Sequence, residues 1–182
     1  MSADAVKKDL PPIVFELIGR VTSDWAGLEY LINECIWALA LVPRPLGACI
    51  TAQIFNTDGR IRALLALLKL RQADQRIIDA VNVFSEEMRG PSERRNRIVH
   101  DVWSAHEDTG AIFKMEITAR NKLKFELQEI DIETIKADVK TVFDCVKKFL
   151  GIRNLIFSSL PSLPSIPLEV IHTTLGMHDH PL

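Results

Sequence analysis

Between residues 12 and 41 the apolar side chains Val14, Leu17, Val21, Trp25, Leu28, Ile32, Cys35 and Leu39 recur at spacings of three and four. This is the period of an α-helix with one apolar stripe. A helix of about eight turns needs something to cover that stripe along its whole length, so it dictates the layout of the rest of the chain. From residue 28 onward the opposite side is apolar too, with Tyr30, Ile36, Trp37 and Leu41. A helix that is hydrophobic all round is covered on several sides, either by other helices of the chain or by a second subunit. Pro43-Arg44-Pro45 stops it, since proline has no backbone N–H to donate.

A second helical stretch covers 46–70. Asn56-Thr57-Asp58-Gly59 interrupts it and offers a fresh N-cap before the stripe Ile61, Leu64, Leu65 and Leu68. Asp74 can cap a third helix carrying Ile77, Val81, Phe84 and Met88. Gly90-Pro91 either kinks one long helix or separates two, and 92–102 reads as helix again. The period then changes to two. Phe113, Met115 and Ile117 alternate with Lys114, Glu116 and Thr118, and Leu123, Phe125 and Leu127 alternate with Lys124 and Glu126. With Ala119-Arg120-Asn121-Lys122 as the turn, this predicts a β-hairpin with one buried face. Residues 103–106 add a short third strand in one reading, with Asp108-Thr109-Gly110 as the turn.

A fourth main helix starts at Asp131, with Ile130 and Ile135 placed as a hydrophobic staple. Its stripe is Ile135, Val139, Val142, Val146 and Phe149, and its expected end lies near residue 156. Pro161, Pro164 and Pro167, in a Ser-rich context, suit an extended polyproline-like segment. The prediction is a mostly α fold: a bundle of four to five helices with an antiparallel β-hairpin or three-strand meander, at about 103–128, inserted between the last two long helices.

A length of 182 residues supports one core and is short for two ordinary domains. The expectation is a single domain over 1–156 and a Pro/Ser-rich tail over 157–182. With 47% hydrophobic and 25% charged residues, the chain has the make-up of a globular protein. A net charge of −2 argues against a broadly basic coat for nucleic acid or membrane, but leaves room for a small basic site. The first ten residues hold no apolar signal-peptide core. The most hydrophobic stretch, 28–42, contains Glu29, Asn33 and Glu34 and is shorter than the roughly 20 residues of a membrane span. Cys35, Cys49 and Cys145 are odd in number and far apart, which argues against a disulfide framework or zinc site and fits a cytoplasmic protein with reduced thiols. There is no P-loop, dinucleotide fingerprint or serine-nucleophile elbow, so no cofactor is expected. His178-Asp179-His180 has the residue types of a metal site, but its terminal position favours a plain tail; no metal is expected.

The segment that can carry chemistry is Arg95-Asn96-Arg97-Ile98-Val99-His100. Asn96 and His100 are four apart and share a helix face. Arg95 sits about 140° from His100, yet its long side chain can swing toward the same groove. An amide, a guanidinium and an imidazole together suit a phosphodiester. Histidine can move the proton of a ribose 2′-hydroxyl. Arginine can hold phosphate in a bidentate fork. Asparagine can orient the histidine or the sugar. Arg89, Arg94 and Arg97 are candidate nucleic-acid contacts, though four arginines within nine residues also describe an ordinary solvated face. Equally, a helix-terminal histidine can simply cap carbonyls.

Arg95-Asn96-x3-His100 resembles the R-polar-x3-H motif of the HEPN superfamily of helical domains. Arg94 offers a second register with one more intervening residue. The resemblance implies a helical bundle, a homodimer and metal-independent RNA cleavage at the dimer groove, with Arg95, Asn96 and His100 as the site. It also implies toxin–antitoxin or defence biology, with an antitoxin or regulatory protein as partner. Some family toxins carry a tyrosine two residues after the histidine that a partner modifies; here Val102 stands there, so that modification is not expected. Asp24, Glu29 and Glu34 are equal candidates for an auxiliary acid. A second reading, from a different class, is a non-catalytic interaction module that binds nucleotide, RNA or a protein partner.

Overall fold

The computed structural model describes residues 9–119 and 123–163. Among these residues there are six α-helices and one small sheet, in the order α1 (Pro12–Ala40), α2 (Arg44–Thr51), α3 (Thr57–Leu70), α4 (Gln75–Glu87), α5 (Arg89–His100), β1 (Val102–Ala105), β2 (Ile112–Thr118), β3 (Lys124–Glu129) and α6 (Ile132–Ser159). The fold is mostly helical, with a three-stranded antiparallel meander between α5 and α6. By compactness the chain divides into two units, one of Met1–Leu31 with Phe84–Gly151, the other of Ile32–Val83 with Ile152–Leu182.

The helix count exceeds the expected four to five because two stretches each resolve into two helices. Asn56 separates α2 from α3: its side-chain oxygen accepts from the Gly59 N–H at 2.7 Å, a sound N-cap. Helix α2 also starts earlier than expected, with Pro45 in its first turn, where a missing N–H costs nothing. The break between α4 and α5 falls at Met88, ahead of Gly90-Pro91. Those two residues follow Arg89 in the first turn of α5, again a place where proline is tolerated.

In the first unit the buried side chains are Val14, Leu17, Val21, Trp25 and Leu28 of α1, Phe84 and Met88, Ile98 of α5, Ala105 and Ile112 of the sheet, and Ile135, Val139, Val142, Cys145 and Phe149 of α6. Phe84 and Phe149 meet with ring centroids 5.1 Å apart. Asp131 caps α6 by accepting from the Thr134 N–H at 2.7 Å. In the second unit the stripe of α1 continues as Ile32, Cys35 and Leu39, buried with Ile61, Leu64 and Leu68 of α3 and Ile77, Ile78 and Val81 of α4.

The second apolar side of α1 is partly covered by its own chain. Trp37 is 8% exposed and donates its ring N–H to Thr51 Oγ1 at 3.1 Å. Helix α2 comes so close that a Cβ on Gly47 would lie 2.4 Å from Trp37 Cδ1. Tyr30 and Leu41 stay exposed. Helix α1 ends without glycine: Leu41 takes φ 57° and the Val42 N–H returns to the Trp37 carbonyl at 3.2 Å, the six-to-one bond of a Schellman ending.

Two expectations need correction. Helix α6 runs to Ser159, past residue 156, and Leu160–Ser162 form a 3-10 turn rather than extended chain. The fixed φ of Pro161 fits that turn, and the Ser162 hydroxyl donates to the Ser159 carbonyl at 2.8 Å. Arg71, itself buried, donates to the carbonyls of Leu39 at 3.0 Å and Leu163 at 3.4 Å. Residues 164–182, with Pro164, Pro167 and His178-Asp179-His180, lie outside the described residues.

The second correction concerns the hairpin. The register pairs Val102 with Met115, Met115 with Leu127, and Ile117 with Phe125, so these apolar side chains share one face, as alternation predicts. That face is not buried: Val102 is 60% exposed, Ile117 51% and Phe125 67%. The buried members of the sheet, Ala105 and Ile112, project from the other face. Alternation identifies two faces, and it carries no information about which one the helices cover. The turn residues 120–122 lie outside the described residues.

Candidate functional site

Helix α5 delivers the motif at its C-terminal end. His100 is its last residue, and the Asp101 N–H closes the helix onto the Arg97 carbonyl. Asp101 is extended, at φ −72° and ψ 150°, so the chain passes directly into β1. Trp103 therefore leaves the helical face that Asn96 and His100 share. From β1 its ring N–H turns back and donates to the Ile98 carbonyl at 2.9 Å, satisfying one of the acceptors that a helix end leaves free.

Arg95 is half-buried, while Asn96 and His100 are exposed. The Arg95 Nη1 donates to Asn96 Oδ1 at 2.9 Å and lies 3.4 Å from His100 Nε2. The three groups named from the sequence are thus brought together, with the guanidinium as the hub. A guanidinium has only donors, so this contact is a hydrogen bond in the tautomer that leaves Nε2 unprotonated. Arg95 Nε is buried and has no hydrogen-bond partner in the structure.

The surrounding arginines turn toward acids. Arg89 pairs with Glu86 at 3.0 Å and Arg94 with Asp138 at 2.7 Å. Arg97 lies 3.0 Å from Glu116 and 3.5 Å from Asp101. Lys114 reaches Asp101 at 3.8 Å and stands over the Trp103 ring. Glu116 also meets Lys124 at 2.9 Å. That hydrogen bond, aided by Arg97 and Lys114, holds its carboxyl below the usual carboxylate range. The result is a charge ladder on the helix-facing side of the sheet. It ties the meander to α5 immediately beside His100. Sequence reading missed this ladder, because its members become neighbours only through the strand register.

Among the auxiliary acids, Glu34 is committed elsewhere. It is buried and pairs with Arg44 and Arg153, each at 2.9 Å. A carboxylate inside a strongly apolar stretch was the sequence signal for such a pairing. Asp24 borders a shallow hollow with Leu17, Arg20, Lys136, Val139, Lys140 and Phe143. Among the described residues no group of three His, Cys, Asp or Glu side chains is placed to hold a metal ion. Nor is any single described helix long and apolar enough to cross a membrane. No protein-family model, curated protein or solved structure matches the chain.

Proposed function

We propose that the protein is an RNA endonuclease that works without a metal, through Arg95, Asn96 and His100. The observation that carries this reading is the placement of the Arg95 guanidinium against both Asn96 Oδ1 and an exposed His100 Nε2. A phosphate entering at the guanidinium gains a bidentate anchor and competes for the donors that now face the imidazole. That frees Nε2 to take the proton of a ribose 2′-hydroxyl. The 2′-oxygen then attacks phosphorus, Arg95 offsets the charge that builds on the phosphoryl oxygens, and the 5′-oxygen leaves.

The leaving oxygen needs a proton, and one imidazole does not serve as base and acid in the same displacement. A second copy of the chain facing the first supplies the other imidazole, giving a composite site at a homodimer groove. This matches the HEPN-like character of the motif, and with it a role in toxin–antitoxin or defence systems, restrained by an antitoxin or regulatory protein. The test is the product: cleavage leaves a 2′,3′-cyclic phosphate, and a 2′-deoxy nucleotide at the cut site blocks it. A 3′-hydroxyl product overturns the proposal.

The second reading, a non-catalytic module that binds nucleotide, RNA or a protein partner, is favoured by one observation. Arg89, Arg94 and Arg97 all engage acids of the same chain, which leaves less free positive charge for RNA than the sequence promises. Binding of RNA without turnover would select this reading.

A further inference from the structure

We infer that β3 is an interface strand, and that its open edge pairs antiparallel with β3 of a second copy about a two-fold axis at Phe125. The inference rests on the sheet alone and not on the ribonuclease reading.

Among the described residues the sheet order is β1-β2-β3, so one side of β3 faces β2 and the other is an edge. The Ile130 N–H donates to the Ile112 carbonyl at 2.9 Å, in the register that pairs Lys114 with Gln128 and Glu116 with Glu126. Hydrogen-bonded pairs in an antiparallel ladder recur at every second residue. The even-numbered residues of β3 therefore spend their backbone groups on β2. Phe125 and Leu127 point theirs outward, along the edge, and Leu123, the residue before the strand, continues the same alternation. Their side chains are exposed as well, Leu123 by 69% and Phe125 by 67%. An edge of this kind is a template for another strand.

The sequence of the edge says which strand fits. A two-fold axis through Phe125 sets each residue opposite the one whose number completes the sum 250. Phe125 then meets Phe125 of the second copy as a hydrogen-bonded pair, consistent with its outward backbone groups. Leu123 meets Leu127 twice. On the other face Lys124 meets Glu126, also twice, so opposite charges face each other across the contact, added to the pairs that Lys124 makes with Glu116 and Glu126 of its own copy. A two-fold contact must be self-complementary in this way. Moving the axis by one residue to Glu126 would set Glu126 against itself, and like charges directly opposite are unfavourable. Pairing at Phe125 also extends the exposed apolar face of Val102, Ile117 and Leu127 into one continuous six-stranded surface.

The test uses the full chain at micromolar concentration, with light scattering as the readout and far-UV circular dichroism to check folding. Glu126→Lys places Lys124 against a lysine of the second copy, and Lys124→Glu places two glutamates together. Each variant alone should have half the mass of the wild type. An equimolar mixture should recover the wild-type mass, because one strand is then basic at both positions and the other acidic. Phe125→Asp, which leaves both charged residues in place, should also halve the mass, and it serves if a charge variant fails to fold. A wild type with the mass of one chain, folded variants that keep the wild-type mass, or charge variants that stay dissociated when mixed would overturn the inference.

Discussion

Arg95 Nη1 lies 3.4 Å from His100 Nε2 across one and a half turns of helix, although the two residues start on different sides of α5. The long arginine side chain closes that gap and presents a planar fork of donors, which a lysine ammonium does not. Arg95→Lys should therefore lower RNA cleavage by roughly 10²–10³-fold, the usual loss when a donor to the developing charge is removed. Single-turnover rates on a defined oligonucleotide check this. A lysine variant that cuts at the wild-type rate would reduce Arg95 to a surface charge.

Gly47 is where α2 touches the Trp37 ring, so closely that a methyl group there would overlap Cδ1. A tryptophan ring held by its bond to Thr51 cannot yield easily. Gly47→Ala should cost about 1–3 kcal/mol by overpacking, despite the higher helix propensity of alanine. Urea unfolding measures it; an unchanged midpoint would mean that α2 can shift freely.

Asp131 is held below the usual carboxylate range by the backbone N–H and hydroxyl of Thr134. Because its folded value is depressed, it contributes stability above about pH 4, the ordinary value of a free aspartate. That contribution is lost as pH falls through the folded value. Asp131→Asn keeps a capping oxygen but does not titrate. The wild type should melt above this variant at neutral pH, and the gap should close on acidification. A gap independent of pH would contradict the assignment.

The three cysteines should differ sharply in reactivity. Burial pushes the Cys35 thiol up to about 12 and the Cys145 thiol up to about 11, while Cys49 is exposed. The thiolate is the reactive form. Alkylation of the folded protein at pH 8, read by peptide mass spectrometry, should label Cys49 alone. Label on Cys35 in folded protein would show that α1 opens.

Much of this was legible in the residues. The stripe from Val14 to Leu39 is buried throughout, because an apolar face at helical period leaves few other options. Asn56 and Asp131 act as the caps that their types and positions indicate. The cluster of Arg95, Asn96 and His100 was readable because all three lie on one short helix. Contacts set by tertiary register were not. Nothing in the local sequence marks Leu41 for a left-handed helix ending, a role that glycine usually fills. Alternation in the meander specified two faces, but the choice of which face is covered depends on how β1 leaves α5. The pairing of Glu34 with Arg153 spans more than one hundred residues, and no periodicity reports a contact at that distance.

The central claim is that His100 moves a proton in metal-free RNA cleavage. The direct measurement is the rate of RNA cutting in EDTA by the wild type and by His100→Ala, with folding of both verified by their melting curves. The account predicts that the wild type cuts in EDTA as fast as without it. The exposed His100 can be removed without unfolding the protein, and the variant should cut roughly 10²–10⁴-fold more slowly. Cleavage that EDTA abolishes, or a folded His100→Ala protein that cuts at the wild-type rate, would contradict it.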